Sequence, residues 1–266
     1  MFDRKINLVV GLTTFDTQWL RVSVPALAKL RQKIMLIIYN DNPCVRVTRR
    51  QIRRLGYRGA LRVINGDKNL GTMWARCRIA DAVREMRRRP EWITFVDDDD
   101  ILTNAVVPNV ADNVFAVIQD SVEFHGRVAD LLRISQCPGT INCMDENIVR
   151  TRPNVGFAGM IVRTSAMIYF ADKMRDAWGA IAKIDAEYDF RPPTDITMWT
   201  LVQRAARQIN PNATPIYMDG VNYVKNNLDA GAVKYGLAPN TGRGADTRAA
   251  RIIARYAELF DAASAA

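Results

Sequence analysis

The chain has 266 residues, 48% hydrophobic and 24% charged, an ordinary globular composition that allows one large α/β domain or two small ones. No stretch approaches the ~20 apolar residues of a membrane span, and the start, Met1-Phe2-Asp3-Arg4-Lys5, has no signal-peptide pattern, so the expected location is the cytoplasm. The net charge of +9 points to polyanionic partners, and a single histidine, His125, leaves little room for a histidine-based triad or a histidine-rich metal site.

In chain order, Lys5 to Thr13 reads as a first strand, nearly all apolar in its middle. Thr17 to Leu30 has helical spacing, with Leu20, Val24, Leu27 and Leu30 on one face and Pro25 weakening its centre. Lys33 to Asn40 is a second strand. Between Asn42 and Gly66 there are seven arginines and no acid. Five of them, Arg46, Arg49, Arg50, Arg53 and Arg54, recur at helical spacing. They form either a solvated helix face or a docking surface for a polyanion, nucleic acid or anionic lipid. Leu61 to Ile64 is a third strand. Asn69 to Thr72 is a loop, Met73 to Arg88 a helix stopped before Pro90, and Trp92 begins a fourth strand.

That fourth strand runs directly into Asp97-Asp98-Asp99-Asp100. Four adjacent carboxylates resist joint ionisation, so a cation should offset them, and a divalent metal with oxygen ligands is the natural one. The plainer alternative is a solvated turn that caps the next element. Polar residues stand at the other strand ends too: Thr13 and Thr14, Asn40 and Asp41, Asp67 and Asn69. The alternation of strand and helix predicts a doubly wound, mostly parallel sheet with helices on both faces, whose carboxyl edge gathers these residues as a nucleotide site requires. No Gly-x-Gly-x-x-Gly follows the first strand and no Gly-Lys-Ser/Thr occurs, which disfavours a dinucleotide dehydrogenase or a P-loop enzyme. A haloacid-dehalogenase-like phosphatase carries its Asp-x-Asp on the first core strand, not the fourth.

Beyond Leu102 the expectations are a helix over 105–118, an ambiguous stretch over 122–134 that includes strands, and a turn-rich Cys137–Cys143 segment. Val155 to Arg163 should be a strand approached by a glycine-bearing loop. Helices are expected at 164–178, 194–206 and 248–260, with a late strand region at 214–223. A mobile glycine-rich loop should span 226–247. Cys44, Cys77, Cys137 and Cys143 match no zinc spacing and are expected as reduced thiols, a Cys137–Cys143 disulfide being disfavoured inside a cell. No linker divides the chain. One domain is expected, with a nucleotide-binding half (1–103), an acceptor half (104–225) and a C-terminal loop and helix (226–266).

Five segments in order resemble the inverting nucleotide-sugar glycosyltransferases of the GT-A fold, the large family-two type. Thr13-Thr14-Phe15-Asp16 stands at the first strand end. Asn40-Asp41-Asn42 replaces an Asp-Asp-Gly. Asn69-Leu70-Gly71 with Ala75-Arg76 resembles an Asn-x-Gly…Ala-Arg-Asn segment. Asp97 to Asp100 resembles the Asp-x-Asp-Asp metal motif, and Pro193-Thr194-Asp195 with Trp199 resembles the segment that supplies the base. The resemblance covers about residues 6–225. It implies a nucleoside-diphosphate sugar donor, UDP by family habit, with Mn2+ or Mg2+ on Asp99 and Asp97. It also implies donor contacts from Thr14, Asn40, Asp41, Asn69, Gly71 and Arg76, and Asp195 as general base. Arg76 is otherwise a helix-surface arginine, Gly71 a tight turn, and Asp195 a complement to its helix dipole. Asp185, Glu187 and Asp189 are rivals to Asp195.

Two departures stand out. The family's Glu-Asp pair is Thr194-Asp195 here, and its late histidine is absent, Tyr223-Val224-Lys225-Asn226 occupying that stretch. Lys225, Arg243 and Arg248 are the cations that this leaves to meet the diphosphate. Three acceptor readings remain: a hydroxymethylated base in DNA, a cell-envelope glycan made at an anionic membrane surface, or no acceptor at all in a nucleic-acid-binding protein that keeps the fold.

Overall fold

A computed structural model describes residues 6–138, 148–151, 156–188, 194–226 and 245–262, with the backbone alone at 185–188 and 245–249. Four parallel strands form its first half: β1 (Leu8–Thr14), β2 (Ile34–Asn40), β3 (Ala60–Asn65) and β4 (Trp92–Asp97), in the order β3-β2-β1-β4. All seven residues of β1 are buried, which requires cover on both sheet faces and explains the unbroken apolar run. Gly11 sits mid-strand because a Cβ there would lie 2.8 Å from the Phe95 ring and 3.0 Å from Ile79. Its absence lets β4 and the helix that carries Ile79 close over the strand.

The sheet then continues through β8 (Ile161–Arg163), β6 (Val114–Phe124), β9 (Thr214–Asn226) and β5 (Ile101–Leu102), with β7 (Ile148–Thr151) also paired to β6. β6 and β9 run parallel over their length, while the short β5, β7 and β8 pair antiparallel. The expected α/β class, with a mostly parallel sheet, is what the chain adopts.

Helices cover both faces. On one side α1 (Leu20–Lys29), α2 (Arg49–Arg54) and α4 (Val128–Gln136) pack Val24, Ile52 and Leu131 onto the strands. On the other, α3 (Thr72–Arg84), α5 (Thr164–Asp176), α6 (Trp178–Tyr188), α7 (Thr194–Ile209) and α8 (Ala245–Ala262) share one core with Ile37, Ile93 and Phe95. A 3-10 turn, Thr17–Trp19, leads into α1, which passes through Pro25 without breaking.

Several expectations need correction. The helix expected over 105–118 is absent; its end, from Val114 on, belongs to β6. The residues Val114, Phe115, Val117, Val122 and Phe124 are buried, and a continuous buried run has no periodicity that separates strand from helix. The ambiguous 122–134 stretch resolves into the end of β6 and α4. Helix α6 was not anticipated. The arginine helix is only six residues long, closed at its start by a Thr48–Gln51 capping box, so Arg46 lies in the loop before it. Cys143 and most of the 226–247 segment lie outside the described residues, as do Asp189 and Arg243.

Candidate active site

The parallel register sets Thr13 beside Asp97 and Thr14 beside Asn40, so the polar strand ends meet on one edge. There they line a cleft of about 260 Å³. Thr13, Thr14 and Phe15 come from the end of β1, Asp41 from β2, Thr72 and Ala75 from α3, and Asp97, Asp98 and Asp99 from the end of β4.

Asp41 shapes the cleft's far wall. Its carboxylate accepts the N–H groups of Leu70 (2.8 Å) and Gly71 (2.7 Å). Gly71 has φ of 81°, a left-handed conformation open to glycine at little cost, and stands just before α3. Asn69 locks the same turn by accepting the Gly71 N–H at 3.0 Å. Burial raises the Asp41 pKa, and the two backbone hydrogen bonds only partly offset that rise.

The aspartate run divides into four fates. Asp97 receives a two-pronged contact from the Arg76 guanidinium (3.0 and 3.1 Å) and the Thr13 hydroxyl (3.0 Å). Asp98 is buried and accepts the Thr14 hydroxyl at 2.6 Å. Asp99 lines the cleft. Asp100 turns inward, accepting the Tyr223 hydroxyl and the Asn226 N–H (2.7 Å). Burial, then the charges of Asp99 and Asp97, push the Asp100 pKa well up.

Arg76 connects the run to α7. Its side chain is fully buried, 0% exposed, lying between the Phe95 and Phe157 rings at 5.7 and 5.9 Å from their centroids. One guanidinium nitrogen holds Asp97; the other donates to Asp195 Oδ1 at 2.8 Å. Burial alone would lower the Arg76 pKa, but the Asp97 and Asp195 carboxylates outweigh it and raise the value. Asp97 and Asp195 are each 32% exposed, so both carboxylates face solvent while the cation that joins them does not. The structure therefore places Arg76 behind the cleft wall, neither on a helix surface nor in reach of a diphosphate in the cleft.

Asn40 is also fully buried. Its amide donates to the Asn42 and Val45 carbonyls and to Asn65, tying the loop after β2 to β3. It braces the cleft from beneath, while its neighbours Asp41 and Thr14 line it. Lys225 is exposed on β9, in register with Glu123. The Arg248, Asp185 and Glu187 side chains lie outside the described residues. Of the five arginines, Arg46, Arg49, Arg50 and Arg54 are exposed. Arg53 instead donates to the Tyr57 and Gly59 carbonyls (3.0 and 2.9 Å) and fastens the end of α2.

Sequence reasoning placed Thr13 and the aspartate run at this edge but gave Thr13, Asp98 and Asp100 no part of their own, and it missed the Tyr223 hydroxyl as a partner of Asp100. The parts of Thr13 and Asp98 could have been found by aligning the strand ends in parallel register. Tyr223 carries no local signal, because its partner is remote in the chain.

Among the described residues no three His, Cys, Asp or Glu side chains converge as a metal cage. Mg2+ and Mn2+ do not require one, since they are commonly held by one or two carboxylates together with substrate phosphates. Asp99, at the cleft wall beside Asp97, suits that donor set.

No protein-family model matches the chain, and no curated protein matches it in sequence. Solved structures with a similar course include Staphylococcus aureus TarS 1–349, at 15% identity and a TM-score of 0.48, covering 83% of this chain and 60% of that one. The glycosyltransferase GlyE of Streptococcus pneumoniae TIGR4 is 10% identical with a TM-score of 0.36, covering 87% of this chain and 50% of that one. The mannosyltransferase PcManGT of Pyrobaculum calidifontis, in complex with GDP-Man and Mn2+, is 12% identical with a TM-score of 0.35, covering 99% of this chain and 87% of that one. The chain thus spans only 60% and half of the first two proteins. At these scores the functional reading rests on the site's own geometry.

Proposed function

We propose that this chain is a metal-dependent inverting glycosyltransferase that moves a sugar from a nucleoside-diphosphate donor to an acceptor hydroxyl. The observation that carries the reading is a carboxylate-lined cleft at the carboxyl edge of parallel strands, with one further carboxylate, Asp195, held beside it. Asp41, Asp97, Asp98 and Asp99 make the cleft strongly anionic. A bare diphosphate would be repelled there, whereas one that arrives with a divalent cation is attracted. Mn2+ or Mg2+ on Asp99, with Asp97 beside it, would supply charge neutralisation for the departing diphosphate.

The chain's own residues provide the rest. Thr14 and Asp41 border the space for ribose and base. Asp195 offers a second oxygen, Oδ2, which has no hydrogen-bond partner among the described residues. As the acceptor oxygen bonds to the anomeric carbon, its proton passes to Asp195 and the bond to the diphosphate breaks with its electron pair leaving on the diphosphate. Attack opposite the leaving group inverts the configuration. Uracil is the first base to test. Cytoplasmic action fits a described chain in which no helix is long and apolar enough to cross a membrane.

For the acceptor, the exposed arginines favour a polyanion. The loop that carries Arg46 begins at Asp41, which lines the cleft, and leads into the helix that bears Arg49, Arg50 and Arg54. DNA bearing a hydroxymethylated base is the preferred acceptor; that base must leave the stack to reach the cleft. A cell-envelope glycan assembled at anionic lipid is the second reading, because the same arginines serve there. The test is a transfer assay with Mn2+, UDP- and GDP-sugars, and DNA with or without hydroxymethylated pyrimidines, digested to nucleosides for mass spectrometry. A hexose-shifted nucleoside supports the whole reading. Nucleoside diphosphate released without a DNA product moves the acceptor to glycans. Absence of both, with DNA still bound, supports a binding protein that lacks catalysis.

A further inference from the structure

We propose that Arg76 is a positioning residue: its one guanidinium fixes the donor-side carboxylate Asp97 and the acceptor-side carboxylate Asp195 in a set mutual geometry, and so aims the base at the reacting hydroxyl. This rests on the glycosyltransferase reading above.

Three observations carry it. First, the two carboxylates belong to elements distant in the chain, the end of β4 and the first turn of α7, and the same side chain from α3 hydrogen-bonds both. Second, exposure divides the roles. Arg76 is wholly buried while each carboxylate is one-third exposed, so a ligand touches the aspartates and not the arginine. Third, the contact occupies Asp195 Oδ1 at 2.8 Å and leaves Oδ2 without a hydrogen-bond partner among the described residues. A planar, rigid fork suits this task, since it reaches two carboxylates at a fixed angle, whereas an ammonium is a point charge on a flexible stem. The Phe95 and Phe157 rings and the Met198 sulfur, 3.6 Å from Nη1, confine the guanidinium further.

The geometry matters more than the charge, so Arg76→Lys is the informative variant. Its folded state would be checked by circular dichroism and melting, its nucleotide affinity by calorimetry with UDP and MnCl2, and its turnover by release of UDP from UDP-sugars. We expect a folded protein whose UDP affinity stays within about threefold and whose kcat falls roughly 100-fold at little-changed donor KM, as for a misdirected catalytic group. A kcat within about threefold of the parent overturns the proposal. A purely structural role would lower the folded fraction and leave kcat per folded molecule unchanged, which also overturns it.

Should the lysine variant not fold, the isosteric pair Asp97→Asn and Asp195→Asn reads the same link without touching Arg76. Each single change leaves the arginine one carboxylate. The double change leaves a buried cation with none, so its melting temperature should fall below the sum of the single effects by roughly 5 °C or more. Additive losses would show that Arg76 is not shared, and overturn the proposal. If the parent itself neither binds UDP nor GDP with Mn2+ nor releases either from a sugar, the glycosyltransferase reading fails and this inference with it. Parent turnover with an unimpaired Arg76→Lys sinks this inference alone.

Discussion

Of the arginines that span two aspartates, Arg76 and Arg150 differ most in what they leave over. Arg76 joins Asp97 to Asp195 beneath the cleft. Arg150, on β7, joins Asp120 of β6 to Asp219 of β9. Asp120 is completely buried, and besides two guanidinium contacts it accepts the Tyr217 hydroxyl at 2.6 Å. Its oxygens are occupied by the protein and face no ligand space, while Asp219 is 82% exposed and only loosely tied. Asp97 and Asp195 are also held by the protein, yet each stays one-third exposed at the cleft side of the link. The same ion-pair chemistry therefore gives a closed strand fastener in one place and a solvent-facing pair in the other. The distinguishing quantity is the carboxylate exposure that remains, not the strength of the pairing.

That contrast can be broken experimentally. The largest effect is expected at Asp195: the Asn variant should keep UDP·Mn2+ affinity and lose up to about 10⁴-fold in transfer, the upper end for a general base. Retained transfer would return Asp195 to a mere complement of its helix dipole. Next comes Asp99→Ala. Metal-stimulated turnover should fall about 10³-fold while the melting temperature holds, because this side chain lines the cleft and its loss removes a cation ligand. Titrating Mn2+ against donor turnover in both proteins checks it.

Arg150→Met should behave oppositely. Leaving Asp120 buried beside fewer donors should cost about 2 kcal/mol, or roughly 4–8 °C in melting temperature, with kcat of the folded protein unchanged. A catalytic defect there would erase the distinction between the two arginines. The smallest effect belongs to the outer surface. Replacing Arg49, Arg50 and Arg54 with Glu should weaken DNA binding about tenfold or more and flatten its salt dependence, at no measurable cost in stability. Arg53 is left out of that set because it holds carbonyls at the end of α2. Unchanged DNA affinity would reduce the patch to a solvated face.

The sequence made the first half of the fold legible because buried parallel strands are written as apolar runs with polar tails, and β1, β2 and β4 each follow that rule. Their tails brought Thr14, Asp41, Asp97 and Asp99 together correctly. The start of β6 was misread for the complementary reason: covered on both edges by other strands, and apolar on both faces from Val114 to Ile118, it shows neither alternation nor helical spacing. Arg76 was named as a site residue, but its burial was not foreseeable. It sits on α3 among Ala75, Cys77, Ile79 and Ala80, all buried, so no amphipathic pattern marks where its head goes. Arg53 and Arg54 are indistinguishable in sequence, and only the turn at Tyr57–Gly59 separates a brace from a free cation.

The reach of the cleft's bonds also bears on how the chain acquires its active form. Thr14 and Asp98 are 84 residues apart, Arg76 and Asp195 119, and Asp100 and Tyr223 123. Contacts this far apart close late, since loop entropy must be overcome before they contribute. During synthesis the strands β1 to β4 emerge first, able to pair locally, with Arg76 and Asp97 already neighbours. Asp195 and Tyr223 must wait for more than half of the chain. The nascent protein thus passes through a stage with Asp97 and its cleft wall formed and Asp195 absent, and the site proposed above is complete only as α7 and β9 dock.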